Sequence, residues 1–118
     1  MKLPNANNAI VEEQKITGYL LNRAHRFGAN KAKFFLDFGF RAGQWQVFAN
    51  ALREHAQTHV VAKRKETRFG PRFEIDGELR TPDGRRPRIR TVWQLDHEMV
   101  APRLITAYPL EVSYDEGT

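Results

Sequence analysis

The apolar residues of this chain change their spacing once, near residue 58, and that change sets the class of fold open to it. Before it, they recur at helical intervals. Ile16, Tyr19 and Leu20 fall at i, i+3 and i+4, Phe34, Phe35 and Phe38 cluster in a second stretch, and Trp45, Phe48, Ala49, Leu52 and Ala56 line one face of a third. After it, the period is two. Phe73, Ile75 and Leu79 alternate with Glu74, Asp76 and Glu78, and Ile89, Thr91, Trp93 and Leu95 with Arg88, Arg90, Val92 and Gln94. Leu104, Thr106 and Tyr108 then alternate with Ile105 and Ala107. The spacing predicts helices over about 12–22, 31–37 and 43–57. It predicts strands over about 58–66, 72–81, 87–96 and 103–110.

The connections between these segments are short. Gly28 breaks the first two helices, with Asn30 as the expected N-cap, Gly39 suits the position after the second helix, and Thr81-Pro82-Asp83-Gly84 reads as a tight turn. Short connections make consecutive strands antiparallel neighbours, and the helices must then cover one face of the sheet. The expectation is an α+β fold with about three N-terminal helices on one face of a three- to four-stranded antiparallel β-sheet. A chain of 118 residues fits one domain. Its parts are a polar lead-in (1–9), a helical part (10–57), the sheet (58–110) and an acidic tail (111–118).

Composition removes several function classes. There is no cysteine, hence no disulfide scaffold, Cys-based zinc site or cysteine nucleophile. The N-terminus lacks the apolar core of a signal peptide, and no apolar run nears the roughly 20 residues of a membrane span, so a cytoplasmic location is expected. The net charge is +5, concentrated in the stretch Lys63–Arg90, which holds ten basic and five acidic residues. A field of this sign favours a polyanion such as RNA, or an acidic protein. A merely solubilising surface fits the charge equally.

Three groups of residues could carry chemistry. His25 lies in the connector after the first helix among Arg23, Arg26 and Lys31. These cations disfavour a further positive charge on its ring, and a neutral imidazole can act as a general base. An ordinary surface histidine is the competing reading. The second group is Arg85, Arg86, Arg88 and Arg90. Arg88 and Arg90 share a strand face and would hold a phosphate, or else pair with Glu74, Asp76 and Glu78 across the hairpin. The third is Arg103, Thr106 and Tyr108, a possible phosphate clamp. His55, His59 and His97 lack metal-ligand spacing, and neither a metal nor a cofactor is expected.

Two stretches together resemble one family. Lys15…Tyr19-Leu20-Leu21-Asn22…His25…Gly28…Lys31-Ala32…Phe34-Phe35…Gly39-Phe40 is similar to the opening of a group of small bacterial and phage domains. Arg90-Thr91-Val92-Trp93…Pro102-Arg103-Leu104…Thr106-Ala107-Tyr108-Pro109 is similar to their close. The group resembles the barnase/EndoU/colicin/RelE-like ribonuclease toxin superfamily, and the likeness covers most of residues 2–110. It implies helices packed on a four-stranded antiparallel sheet, with metal-independent RNA cleavage on the exposed sheet face through a 2′,3′-cyclic phosphate. It also implies membership of a toxin-antitoxin or toxin-immunity system, with RNA and an acidic antitoxin or immunity protein as partners. Carried onto this chain, the family-like positions are His25, Lys31, Arg90, Thr91, Arg103, Thr106 and Tyr108; all but Thr91 are expected to be catalytic, and Thr91, with Arg86 and Arg88 of the basic cluster, to bind RNA phosphate. The chain departs from a Glu/His acid–base pair, because its strands hold no histidine. The alternative is a non-catalytic basic module that binds nucleic acid or an acidic protein.

Overall fold

The structure, a computed structural model, describes residues 1–110; the acidic tail 111–118 lies outside the described residues. Helices precede strands, as the change of period requires. After a 3-10 turn at Ala6–Asn8, α1 is α-helical over Glu13–Lys15 and π-helical over Ile16–Leu20. Its π-turn is closed by Leu21 N donating to Ile16 O at 2.8 Å. Next come α2 (Ala29–Asp37) and α3 (Trp45–Thr58), the latter entered through a 3-10 turn at Ala42–Gln44. Gly28, not Asn30, occupies the N-cap of α2. Gly39 follows its C-cap with φ +103°, a left-handed conformation that other residues adopt only with strain.

The strands are β1 (Val61–Thr67), β2 (Gly70–Glu78), β3 (Arg88–Gln94) and β4 (Arg103–Pro109). They form one antiparallel meander in sequence order. The Thr81–Gly84 turn forms as expected, with Gly84 N bonded to Thr81 O and φ +88° at the glycine. The three helices pack with this sheet. Phe73 and Ile75 of β2, Ile89 and Trp93 of β3, and Leu104 and Ala107 of β4 are buried together with Ile16, Leu20, Phe35, Phe48 and Leu52. Phe40 stacks on Phe48 with ring centroids 4.3 Å apart. Burial of the large aromatic and aliphatic side chains of both layers, at about 2 kcal/mol apiece, supplies the main drive for this packing.

One register feature differs from simple alternation. Val92 pairs with Thr106 but Trp93 with Leu104, so Ile105 is an extra residue in β4. This bulge separates Leu104, which faces the core with Ala107, from Thr106 and Tyr108 on the opposite face; the three do not share a side as strict alternation predicts. The outer edge of β4 is partly covered by the extended residues just before α1. Ile10 bridges Arg103 in parallel, with Ile10 N bonded to Pro102 O and Leu104 N to Ile10 O. This pairing delivers α1 to the bulged edge of β4. Among the described residues, no helix is long and apolar enough to cross a membrane.

Candidate active site at the bulged edge of the sheet

A cleft of about 620 Å³ lies where α1 and the following connector meet β4, and Lys15, Tyr19, His25, Phe27, Ile105 and Thr106 are among its walls. The bulge turns Thr106 out of the core, and the π-turn carries Tyr19 to meet it. Lys31 Nζ on α2 donates to the Tyr19 hydroxyl oxygen at 2.7 Å. On its other side, the Tyr19 hydroxyl is 3.0 Å from Thr106 Oγ1. Lys31 and Lys15 also lie over the Tyr19 ring, 5.2 and 5.5 Å from its centroid.

Two opposed effects act on the Tyr19 hydroxyl. Partial burial alone raises its pKa. The hydrogen bonds from Lys31 and Thr106, with the positive charges of Lys31 and Lys15, act the other way and prevail. The phenol therefore titrates below its ordinary value, since every neighbour that shifts it downward stabilises the phenolate.

His25 stands edge-on to Tyr19, with ring centroids 4.8 Å apart. Its Nδ1 accepts hydrogen bonds from the backbone N–H groups of Phe27 and Gly28, both at 3.0 Å. Backbone amides can only donate, so Nδ1 carries the lone pair and Nε2 carries the ring proton. In this tautomer Nε2 cannot accept a proton. Held this way, the imidazole presents Nε2–H as a hydrogen-bond donor, which suits an acid or a charge-stabilising role better than that of a base.

Gly28 serves the same site. A Cβ there would stand 2.7 and 2.8 Å from Cδ1 and Cε1 of the Tyr19 ring, so only glycine allows the ring to lie against the start of α2.

The cleft thus brings together His25, Lys31 and Thr106, and adds Tyr19 and Lys15. Tyr108 occupies the next position on the Thr106 face and contacts Arg90 across the pair β3–β4. Arg90 is held by its own sheet. It forms a two-pronged pair with Asp76 at 2.6 and 2.9 Å, and its Nη1 reaches Glu74 at 3.0 Å. The Asp76 carboxylate foremost, then Tyr108, holds the Arg90 guanidinium above its ordinary value. Arg90 in turn holds the Asp76 carboxyl below its own. Of the two roles open to this arginine, phosphate binding and cross-strand pairing, the fold adopts the pairing. Arg88 lies opposite Glu78, further from the cleft, and Arg86 is exposed in the turn before β3. Arg103, at the other end of β4, pairs with Asp96 at 2.8 Å.

Thr91 requires a correction. It is fully buried on the helix-covered face, where it accepts from Trp93 Nε1 at 2.9 Å and lies 3.0 Å from His55 Nδ1. No phosphate can reach it. Among the described residues, no three His, Asp or Glu side chains gather as a metal-binding group.

Tyr19 escaped the sequence reading because its spacing to Ile16 and Leu20 fits a buried helical face. Those two are buried, whereas the π-turn leaves the Tyr19 hydroxyl in the cleft. The available signal was the placement of lysines four residues before it and twelve after.

Residues 2–111 match the model of a family described as Domain of unknown function (DUF6883), and the chain belongs to that family. No curated protein matches it. The fold is similar to that of a chain in the solved complex of a contact-dependent growth inhibition toxin with its immunity protein from Klebsiella pneumoniae 342. The TM-score is 0.67 at 14% identity, over 86% of this chain and 100% of the other.

Proposed function

We propose that this member of the DUF6883 family is the endoribonuclease toxin of a toxin-immunity or toxin-antitoxin pair, and that the bulged-edge cleft is its active site. The observation that carries the reading is the Lys31–Tyr19–Thr106 hydrogen-bonded set beside a fixed imidazole donor. The likeness in fold to a chain of a toxin–immunity complex supports the biological setting.

In this reading RNA lies across the cleft, with a base against Phe27, which is 74% exposed. The Tyr19 phenolate takes the proton of a ribose 2′-OH, and the 2′ oxygen bonds to the adjacent phosphorus. The bond from phosphorus to the 5′ oxygen breaks, its electron pair leaves on that oxygen, and a proton from the Lys15 ammonium neutralises it. The products are a 2′,3′-cyclic phosphate and a free 5′-hydroxyl. Lys31 and the Nε2–H of His25 stabilise the charge gathering on the phosphoryl oxygens, acting from fixed positions. No step requires a metal. The partner is an acidic antitoxin or immunity protein that covers this basic cleft.

A purely binding role for the sheet face is weakened by Arg90, whose charge is met by Glu74 and Asp76. The test is cleavage of tRNA, rRNA and mRNA by purified protein in EDTA, with the new ends assayed for cyclic phosphate. Tyr19→Phe should lower the rate by about 10²–10⁴, the usual contribution of a general acid–base group. Intact RNA at high enzyme concentration, or full activity in Tyr19→Phe, would sink the proposal.

A further inference from the structure

A second cavity, of about 760 Å³, opens on the far side of the same connector. Arg23, Asn30, Lys33, Phe34, Asp37 and Arg41 surround it, and none belongs to the bulged-edge cleft. Three cations thus face one carboxylate, and Asp37 already has Arg85 Nη2 at 3.5 Å. Arg41 is held in place: its Nη1 donates to Leu36 O and Phe40 O at 2.9 and 2.7 Å, leaving the rest of the guanidinium edge for a ligand. Phe34 is braced edge-on by Phe35, with centroids 5.2 Å apart at 86°, and remains half-buried at the cavity wall. Asn30 adds an amide that can both donate and accept.

Anion-binding guanidinium groups, a braced aromatic ring and a two-way hydrogen-bonding amide are the elements that recognise a nucleotide: phosphate, base face and base edge. The connector itself gives the spacing. Arg23 lines this cavity and His25 lines the cleft, and two residues of chain span at most about 7 Å. On α2, Asn30 lines this cavity while the next residue, Lys31, bonds Tyr19 of the cleft.

We infer that the Arg23–Phe34–Arg41 cavity is a subsite of the proposed nuclease, holding a nucleotide one or two steps along the strand from the scissile phosphate. This inference rests on the ribonuclease reading. The enzyme would then prefer a substrate of three or more nucleotides, and the helical half would contribute to choosing its sequence.

Binding of non-cleavable 2′-O-methyl oligonucleotides of two and four residues, measured across a range of potassium chloride, tests the subsite separately from cleavage. The tetramer should bind about tenfold or more tighter than the dimer. That difference should collapse in Arg23→Ala/Lys33→Ala, and the salt slope for the tetramer should flatten by about 0.7 for each phosphate that no longer meets a cation. Phe34→Leu, which keeps an apolar side chain in place, should weaken the tetramer several-fold by removing base stacking. Equal binding of dimer and tetramer, or a tetramer indifferent to the double variant, would overturn the inference. So would a polyglutamate peptide that binds the cavity as tightly as the tetramer, since the site would then serve an acidic protein. Length-dependent, variant-sensitive binding by a protein that cleaves no RNA would retain the subsite and remove the nuclease.

Discussion

His55 makes the stability of this fold depend on pH in a window that its carboxylates do not share. It sits on α3, 2% exposed, with both ring nitrogens engaged. Nε2 lies 3.1 Å from the carbonyl oxygen of Gly77 and must donate to it. Nδ1 therefore accepts from the hydroxyl of Thr91, which itself accepts from Trp93 Nε1. A second ring proton, on Nδ1, would force the Thr91 hydroxyl to turn from donor to acceptor inside the core. Burial above all, then the nearby His59 ring, lowers the pKa from 6.5 to about 4, against smaller opposing effects from the Gly77 and Ile89 carbonyls and Asp76. The unfolded chain binds a proton at 6.5 and the folded chain does not until about 4, so stability is full above the former and falls as pH drops towards the latter. Linkage gives a loss of about 1 kcal/mol by pH 5.5 and roughly 2–3 kcal/mol by pH 4.5. Urea unfolding at pH 7.5, 5.5 and 4.5 measures it. In His55→Gln the protein should be weaker at pH 7.5, but its decline between pH 7.5 and 4.5 should shrink by that amount. An equally steep decline in the variant would refute the assignment to His55.

The remaining expectations concern the sheet face and the cleft. Arg90→Ala should cost about 2 kcal/mol in denaturant unfolding at pH 7, since it leaves Glu74 and Asp76, both partly buried, side by side without their cation. Arg88→Ala, on an exposed position two residues earlier, should stay within about 0.5 kcal/mol. Gly28→Ala should retain the backbone fold by circular dichroism yet lower RNA cleavage at least tenfold, because the added methyl displaces the Tyr19 ring; unchanged cleavage would show that the ring position is immaterial.

Most of the architecture was legible because one rule governs it: apolar spacing reports the face that must be buried. The Trp45–Ala56 stripe and the Phe73–Leu79 alternation both lead directly to the observed α3 and β2. The exceptions arise where two residues compete for one structural position. Asn30 has the better capping side chain, but the chain starts α2 earlier, at Gly28, where the absence of a Cβ accommodates Tyr19. Strict alternation in β4 fails because a bulge inserts Ile105, and a bulge leaves no mark on hydrophobic period beyond a single apolar residue on the wrong side.

The candidate site was only half legible for the same reason. His25, Lys31 and Thr106 converge, yet the group that links them, Tyr19, was concealed within a helical pattern, and Arg90 of the arginine strand proved to be paired within its own sheet. Both local irregularities, the π-turn in α1 and the bulge in β4, act on this one hydrogen bond. The π-turn spans Ile16–Leu20 and so includes Tyr19. Regular pairing in the second would place Thr106 on the face of Leu104, inside the core. Irregularities of this kind disturb their ladders and persist where surrounding structure compensates them. Here two such departures, from elements eighty-seven residues apart in sequence at the bonded pair, meet at Tyr19 and Thr106 with Lys31 beside them. Packing alone does not require that coincidence. The proton-transfer role proposed for Tyr19 would require it, because such a group must be both half-exposed and flanked by cations.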